Sequence, residues 1–267
     1  MRTPVALTVA GSDSGGGAGI QADLKTFAAL GVHGVCAITA LTAQNTLGVR
    51  AVHLAPPDMI AAQIAAVAED FVVGAVKIGM LGGATGAAAV AQAILEHRLA
   101  PVVYDPVMAA SSGHALAGAG FLEAVRSELL PLVDVLTPNL AEAAALLGVP
   151  AASDEAGMER QGRALLALGP RAVLMKGGHL EGDAVDLLVT AKATHRLAEP
   201  RIEARNLHGT GCTLSSALAA RLVLGDGLVE AAGAAKSFVR KAIERGDDVQ
   251  FGEGPGPLLP LPLACRA

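Results

Sequence analysis

The stretch Val5-Ala6-Leu7-Thr8-Val9-Ala10-Gly11-Ser12-Asp13-Ser14-Gly15-Gly16-Gly17-Ala18-Gly19, continued by Ile20–Leu30, decides the fold. Val5–Ala10 is a short apolar run with β-branched residues and reads as a strand buried on both faces. Ile20–Leu30 has the length and composition of a helix, and a glycine-rich loop joins the two. The same alternation continues down the chain. Val35–Leu41, Val72–Ile78, Val102–Tyr104, Val133–Leu136 and Ala172–Met175 read as further strands. Met59–Glu69, Gly86–His97, Gly120–Leu129, Leu140–Leu147 and Glu155–Leu168 read as helices, the first announced by Pro56-Pro57-Asp58. Leu187–Thr190 and Arg196–Leu197 read as short antiparallel additions, before helices at Thr213–Leu224 and Leu228–Arg245. This order predicts an α/β fold: one doubly wound, mostly parallel sheet, with right-handed crossovers placing helices on both faces. Nothing marks a linker, repeat or second domain, so residues 1–267 are expected to form one domain. The Gly- and Pro-rich tail from Gly252 reads as an irregular surface segment.

Composition narrows the function classes. Hydrophobic residues make up 52 % of the chain but aromatics only 2 %, with no Trp and one Tyr. The core must therefore be built from Ala, Val, Leu and Ile. Mean hydropathy is +0.49, yet no uninterrupted apolar run reaches the roughly 18 residues of a spanning helix. The formal net charge is -5 and no basic stripe is present, which argues against nucleic acid and anionic membranes as partners. Three cysteines, Cys36, Cys212 and Cys265, lie too far apart for a paired metal motif and cannot all pair internally. Free thiols fit a reducing compartment, and the first apolar run is too short for a signal peptide, so a cytoplasmic protein is expected.

In a doubly wound sheet, ligands gather at the carboxyl ends of the strands. The loops there carry the chemistry. Gly11–Gly19 holds five glycines in nine residues, allowing close backbone approach to a ligand, or simply a flexible turn. It is not a dinucleotide fingerprint: starting at Gly15 the third glycine position is Ile20, and starting at Gly11 the second is Asp13. It also lacks the Gly-Lys-Ser/Thr ending of a Walker A loop. Gln44, in Thr42-Ala43-Gln44-Asn45-Thr46, offers a donor and an acceptor to a nitrogen heterocycle, or lies in a polar turn. Asp105 ends a strand before Pro106 and suits either magnesium beside phosphates or a turn. Asn139 and Glu142 have capping-box spacing, although a first-turn glutamate can also reach magnesium through water. Lys176 ends a buried strand next to Gly177 and Gly178, where it needs an anion or solvent.

His208-Gly209-Thr210-Gly211-Cys212-Thr213 leads into a helix. Small residues at a helix start expose unpaired N–H groups, an anion hole for a transferring phosphoryl group. The helix dipole is expected to lower the Cys212 thiol pKa below its free value of about 8.5, making it a base for a substrate hydroxyl. The competing reading is a small buried packing residue.

Taken together, these segments resemble the hydroxymethylpyrimidine/phosphomethylpyrimidine kinases of thiamine biosynthesis, within the ribokinase-like superfamily. The resemblance runs from about Val5 to Pro257 and rests on several motifs in order. These are Gly15–Phe27, Ala43–Thr46, Lys77–Leu81, Asp105–Met108, Thr137–Glu142, Lys176–His179 and His208–Thr213. It implies that ATP phosphorylates 4-amino-5-hydroxymethyl-2-methylpyrimidine and then its monophosphate. By position it implies that Gln44 bonds the pyrimidine, with Gly11, Asp23, Met80 and Val107 shaping the pocket. Asp105 and Glu142 would organise Mg2+, Lys176 and Thr210 would hold ATP phosphates, and the backbone of Gly209–Cys212 would cradle the transferring group. A homodimer without a separate lid domain is also implied. Many ribokinase-like kinases have an aspartate base where this chain has Cys212, a cysteine common in the pyrimidine-kinase branch. The alternatives are a pyridoxal or pyridoxine kinase, or a non-catalytic regulator on the same scaffold. A flap at Ala109–His114 is a further expectation.

Overall fold

The computed structural model describes residues 3–108, 120–178 and 180–262. The expected flap at Ala109–His114, together with His179 and Cys265, lies outside the described residues.

Nine strands join one sheet in the order β3-β2-β1-β4-β5-β6-β7-β8-β9. β1 (Val5–Asp13) pairs in parallel with β2 (His33–Asn45) on one side and β4 (Ala75–Ile78) on the other. β5 (Val102–Tyr104), β6 (Val135–Leu136) and β7 (Ala172–Lys176) extend the parallel run. β3 (Gly48–Leu54) is antiparallel to β2, while β8 (Ala184–Thr190) and β9 (Thr194–Glu199) close the other edge as an antiparallel hairpin beside β7. The chain leaves β1 in one direction to reach β2 and crosses back to β4 on the opposite side. That makes the gap between β1 and β4 the switch point where such sheets bind ligands.

Helices cover both faces, as the alternation of elements predicts. One face carries α2 (Pro57–Asp70), α3 (Ala84–His97), α4 (Phe121–Ala124), α5 (Leu140–Leu147) and α6 (Glu155–Leu166). The other carries α1 (Gly19–Ala29), α7 (Thr210–Val223) and α8 (Leu228–Gly246). Small side chains let α7 lie close against the sheet: Ala217, Ala219 and Ala220 are fully buried, as are Ser215 and Ser216.

Several expectations need correction. β3 was not foreseen, because its side chains are largely exposed and it shows neither a buried apolar run nor a clean alternation. β1 and β2 run on to Asp13 and Asn45, so Gly11 and Gln44 sit on strand ends rather than in loops. β4 starts at Ala75, since Val72 points to solvent at 67 % exposure. Helix α4 widens after Ala124 through Val125–Leu129 instead of continuing regularly. α7 starts three residues earlier than the periodicity indicates, at Thr210. The tail is not merely a surface segment: Leu258 and Leu259 are buried, and the His208 amide donates to the Gly256 carbonyl at 3.2 Å.

Candidate active site

A cavity of about 1000 Å³ runs along the carboxyl ends of the parallel strands. Of the residues expected from sequence, it gathers Gly11, Gln44, Met80, Asp105, Val107, Glu142 and Lys176, together with Gly209, Thr210, Gly211 and Cys212. Residues from β1, β2 and the end of β4 form one half of it, and those from β5–β7 form the phosphate-sized middle.

Asp23 does not line this cavity. It is fully buried beneath the floor, where its carboxylate accepts from Lys77 Nζ at 2.8 Å, Thr8 Oγ1 at 2.6 Å and Ser216 Oγ at 2.7 Å. All its hydrogen-bonding capacity is turned inward, so its influence on a ligand passes through Lys77, which does reach the cavity. Lys77 is a residue that the sequence reading placed in a motif without a role. A lysine in the middle of a buried strand is stable only with a counter-ion. Burial is the largest single influence and works against its charge, but Asp23, Cys212 and Asp105 together hold the ammonium protonated above the ordinary lysine range.

The middle of the site is an ionic cluster. Lys176 Nζ lies 2.7 Å from Asp105 Oδ1 and 3.6 Å from Glu142 Oε2. Burial alone would lower the lysine pKa, but these two carboxylates raise it above the ordinary value. Glu142 is pushed up by burial, opposed by Lys176 and reinforced by Asp105. Glu142 also completes the capping box: it accepts from the Asn139 amide at 2.7 Å, while Asn139 Oδ1 accepts from the Glu142 amide at 2.8 Å. The two readings of Asn139–Glu142 are thus compatible, since the cap holds the carboxylate at the cavity edge.

The α7 N-terminus closes this cluster from above. Gly209 has φ 85° and caps the helix, and a side chain there would overlap the Gly17 carbonyl oxygen of the first loop. Gly211 faces the cluster: a Cβ at this position would sit 3.2 Å from Lys176 Nζ and 3.5 Å from Asp105 Oδ2. Amides in the first turn of a helix lack intrahelical acceptors, which leaves those of Gly211 and Cys212 as candidate donors to an anion here, while the Thr210 amide donates to the Leu207 carbonyl at 3.3 Å. The expected depression of the Cys212 thiol is not found. Burial pushes its pKa up to about 11, against the opposing charge of Lys77, and Asp23 and Asp105 add to the rise. Desolvation outweighs the helix terminus.

Other contributors escaped the sequence reading. Asp13 binds the first loop through the amides of Gly15, Gly17 and Ala18, at 2.8, 3.0 and 2.9 Å. Burial disfavours its charge, but the bonds from His208 and from these amides hold its pKa below the usual value. Beyond Lys176 the cavity continues between Ile202, Leu207, Val239 and Ile243, with Arg205 and Arg240 at its margin. There Lys236 pairs with Asp186 at 2.6 Å, and Asp186 accepts from the Gly177 amide at 3.0 Å. This apolar slot belongs to loops after β9 and to α8, which no contiguous motif marks.

The sequence profile of the family described as phosphomethylpyrimidine kinase matches residues 13–259. The chain belongs to that family. A hydroxymethylpyrimidine/phosphomethylpyrimidine kinase from Rhizobium meliloti is 52 % identical over 257 residues, covering 96 % of each chain. Among solved structures, a phosphomethylpyrimidine kinase from Clostridium difficile is 42 % identical with a TM-score of 0.80, covering 90 % of this chain and 99 % of its own. A Bacillus subtilis pyridoxal kinase, solved as an ADP complex, is 36 % identical with a TM-score of 0.87, covering 96 % and 97 %. Members of the phosphomethylpyrimidine kinase family and a pyridoxal kinase therefore share this ribokinase-like scaffold, and the fold by itself does not choose between their acceptors.

Proposed function

We infer that the chain is an ATP-dependent kinase of thiamine biosynthesis that phosphorylates 4-amino-5-hydroxymethyl-2-methylpyrimidine and then its monophosphate. Family membership over nearly the whole length carries this reading, supported by the anion hole at Gly209–Cys212 facing Lys176 and Asp105. The same intact cluster argues against a non-catalytic regulator.

The pyrimidine occupies the half of the cavity between Gly11, Gln44, Met80 and Val107, at the sheet's switch point. Gln44 supplies a donor and an acceptor to its edge. ATP lies across Lys176 and Thr210, with its base toward the apolar slot at Ile202 and Val239. In the first transfer the hydroxymethyl oxygen attacks the γ-phosphorus, the bond to ADP breaks, and the alcohol proton is taken by Cys212 in its thiolate form, which becomes the thiol. In the second, an oxygen of the monophosphate attacks a second ATP; it is already ionised and needs no strong base. Phosphoryl transfer depends on alignment and charge neutralisation, which the amides of Gly209–Cys212 and the Lys176 ammonium supply.

Asp105 and Glu142 offer two carboxylates at the cavity edge, which fits a Mg2+ completed by phosphate oxygens and water. Such an ion would neutralise charge on the phosphates. Among the described residues no cluster of three or more His, Cys, Asp or Glu side chains is arranged to hold a metal.

Residues 1–267 act as one kinase domain without a separate lid, in the cytoplasm, as a homodimer. Among the described residues no helix is long and apolar enough to cross a membrane, and Cys36 and Cys212 are free thiols. The homodimer is what the family resemblance implies, and β3, an edge strand preceded by exposed Leu47 and ending in exposed Leu54, is a surface that fits it.

The deciding experiment is product analysis with Mg2+-ATP and three acceptors: the hydroxymethylpyrimidine, its monophosphate and pyridoxal. Formation of the monophosphate and diphosphate is expected; turnover of pyridoxal alone would overturn the acceptor while leaving the kinase assignment intact.

A further inference from the structure

Gln44 is held from three sides. Its amide donates to Ser14 Oγ at 2.8 Å, and that hydroxyl donates back to the Gln44 carbonyl at 2.7 Å. Gln44 follows Thr42 by two residues on β2, so both side chains face the cavity. Its Nε2 is placed 3.2 Å from His208 Nε2 and its Oε1 3.2 Å from Thr42 Oγ1.

A carboxamide keeps its shape after a half-turn, so its partners decide which end carries oxygen. His208 Nε2 is also 3.1 Å from Asp13 Oδ2, an oxygen that already accepts the amides of Gly17 and Ala18. That oxygen is an acceptor, so the ring nitrogen facing it carries a proton, whether the imidazole is neutral or charged. A lone pair there would face a carboxylate. The Gln44 end beside the same N–H must then be its oxygen, because an NH2 group would meet a donor. The NH2 end points to Thr42 Oγ1, which accepts and passes its own proton to the Ser12 carbonyl at 3.0 Å. Among the described contacts, this arrangement leaves each of these donors facing an acceptor.

We infer that Asp13 and His208 form a positioning pair that locks the direction of the Gln44 carboxamide and thereby selects a 4-aminopyrimidine over its 4-oxo counterpart. The inference rests on the reading that Gln44 contacts the pyrimidine. With oxygen on the His208 side and NH2 on the Thr42 side, the carboxamide meets an exocyclic amine and an unprotonated ring nitrogen. A 4-oxopyrimidine presents the reverse, a ring N–H and a carbonyl. A freely rotating glutamine would accept both; the locked one leaves the oxo form with two clashing pairs. Sites built to hydrogen-bond one partner reject the mismatched analogue strongly.

The test is the ratio of kcat/KM for the 4-amino and 4-oxo forms of 5-hydroxymethyl-2-methylpyrimidine. The unaltered protein is expected to favour the amino form by roughly a hundredfold or more. His208→Leu is expected to reduce that ratio at least about tenfold, chiefly through KM, and His208→Gln, which restores an N–H donor, to recover most of it. In a Gln44→Ala background the His208 substitution should no longer move the ratio; an equal fall there would mean loop damage and overturn the proposal. Thr42→Val removes the partner at the other end and should relax the ratio as well, which serves if His208→Leu does not fold. An unchanged ratio in whichever of the two folds overturns the proposal. If Gln44→Ala collapses the ratio but the His208 and Thr42 variants keep it, the locking idea fails alone. If Gln44→Ala leaves the ratio intact, the pyrimidine contact at Gln44 fails with it, while the kinase assignment is untouched.

Discussion

Cys212 concentrates the chemistry at the scale of a single residue. It sits in the first turn of α7, where the dipole favours a thiolate, yet burial dominates and its pKa rises to about 11. At pH 7 only about one thiol in 10⁴ is ionised at such a pKa. If the thiolate accepts the alcohol proton, kcat/KM of the first transfer should rise about tenfold per pH unit toward pH 11, and the second transfer should not follow it. Cys212→Ala should then slow the first transfer by roughly 10²–10⁴-fold and the second much less. Single-turnover measurement of each step separates this from a purely geometric role, for which both losses would be equal and the pH profile flat. The helix start was legible in sequence; the burial was not, because it comes from α1, β1, β4 and β5 packed against α7.

At the scale of elements, the first loop and the α7 N-terminus act as one unit. Asp13 anchors three loop amides and faces His208, while Gly209 packs against the Gly17 carbonyl. Asp13 has a depressed folded-state pKa, so its ionised form stabilises the fold above the unfolded carboxylate pKa. That contribution is lost as pH falls through the folded-state value. Asp13→Asn should therefore destabilise the protein by about 1–2 kcal/mol at pH 7. The difference from the unaltered protein should shrink on acidification below the usual carboxylate range, as followed by urea denaturation at several pH values. A penalty that stays constant with pH would show that shape rather than charge holds the loop. Sequence pattern found both segments but not their contact, since Gly17 and His208 are remote along the chain and meet only through the sheet.

The whole molecule is one sheet with two differently finished edges. β8 and β9 border the apolar slot of the cavity, whereas the β3 edge carries exposed Leu54 and follows exposed Leu47. Edge strands with exposed apolar residues are covered or paired in stable proteins. Sedimentation equilibrium is expected to show a dimer, and Leu47→Glu with Leu54→Glu to weaken it at least about tenfold, since each buried charge would need a partner. A monomeric unaltered protein would end this reading. The β3 strand itself was invisible to pattern, because Arg50, Ala51, His53 and Leu54 are exposed and none of its residues is fully buried.

Taken alone, the sequence determined the alternation of strands and helices, the parallel sheet, that Gly11, Gln44, Asp105 and Lys176 fall at or just beyond the carboxyl ends of strands, and that Gly209–Cys212 opens a helix. These are local properties: apolar periodicity sets the elements, and glycine, proline and capping residues set their ends. Only the tertiary structure decided what each charged group faces. It placed Asp23 under the floor with Lys77, paired Lys176 with Asp105 and Glu142, raised the Cys212 pKa, and brought Asp13 and His208 to Gln44. Desolvation and hydrogen-bond direction depend on neighbours distant in the chain, and no local pattern encodes them.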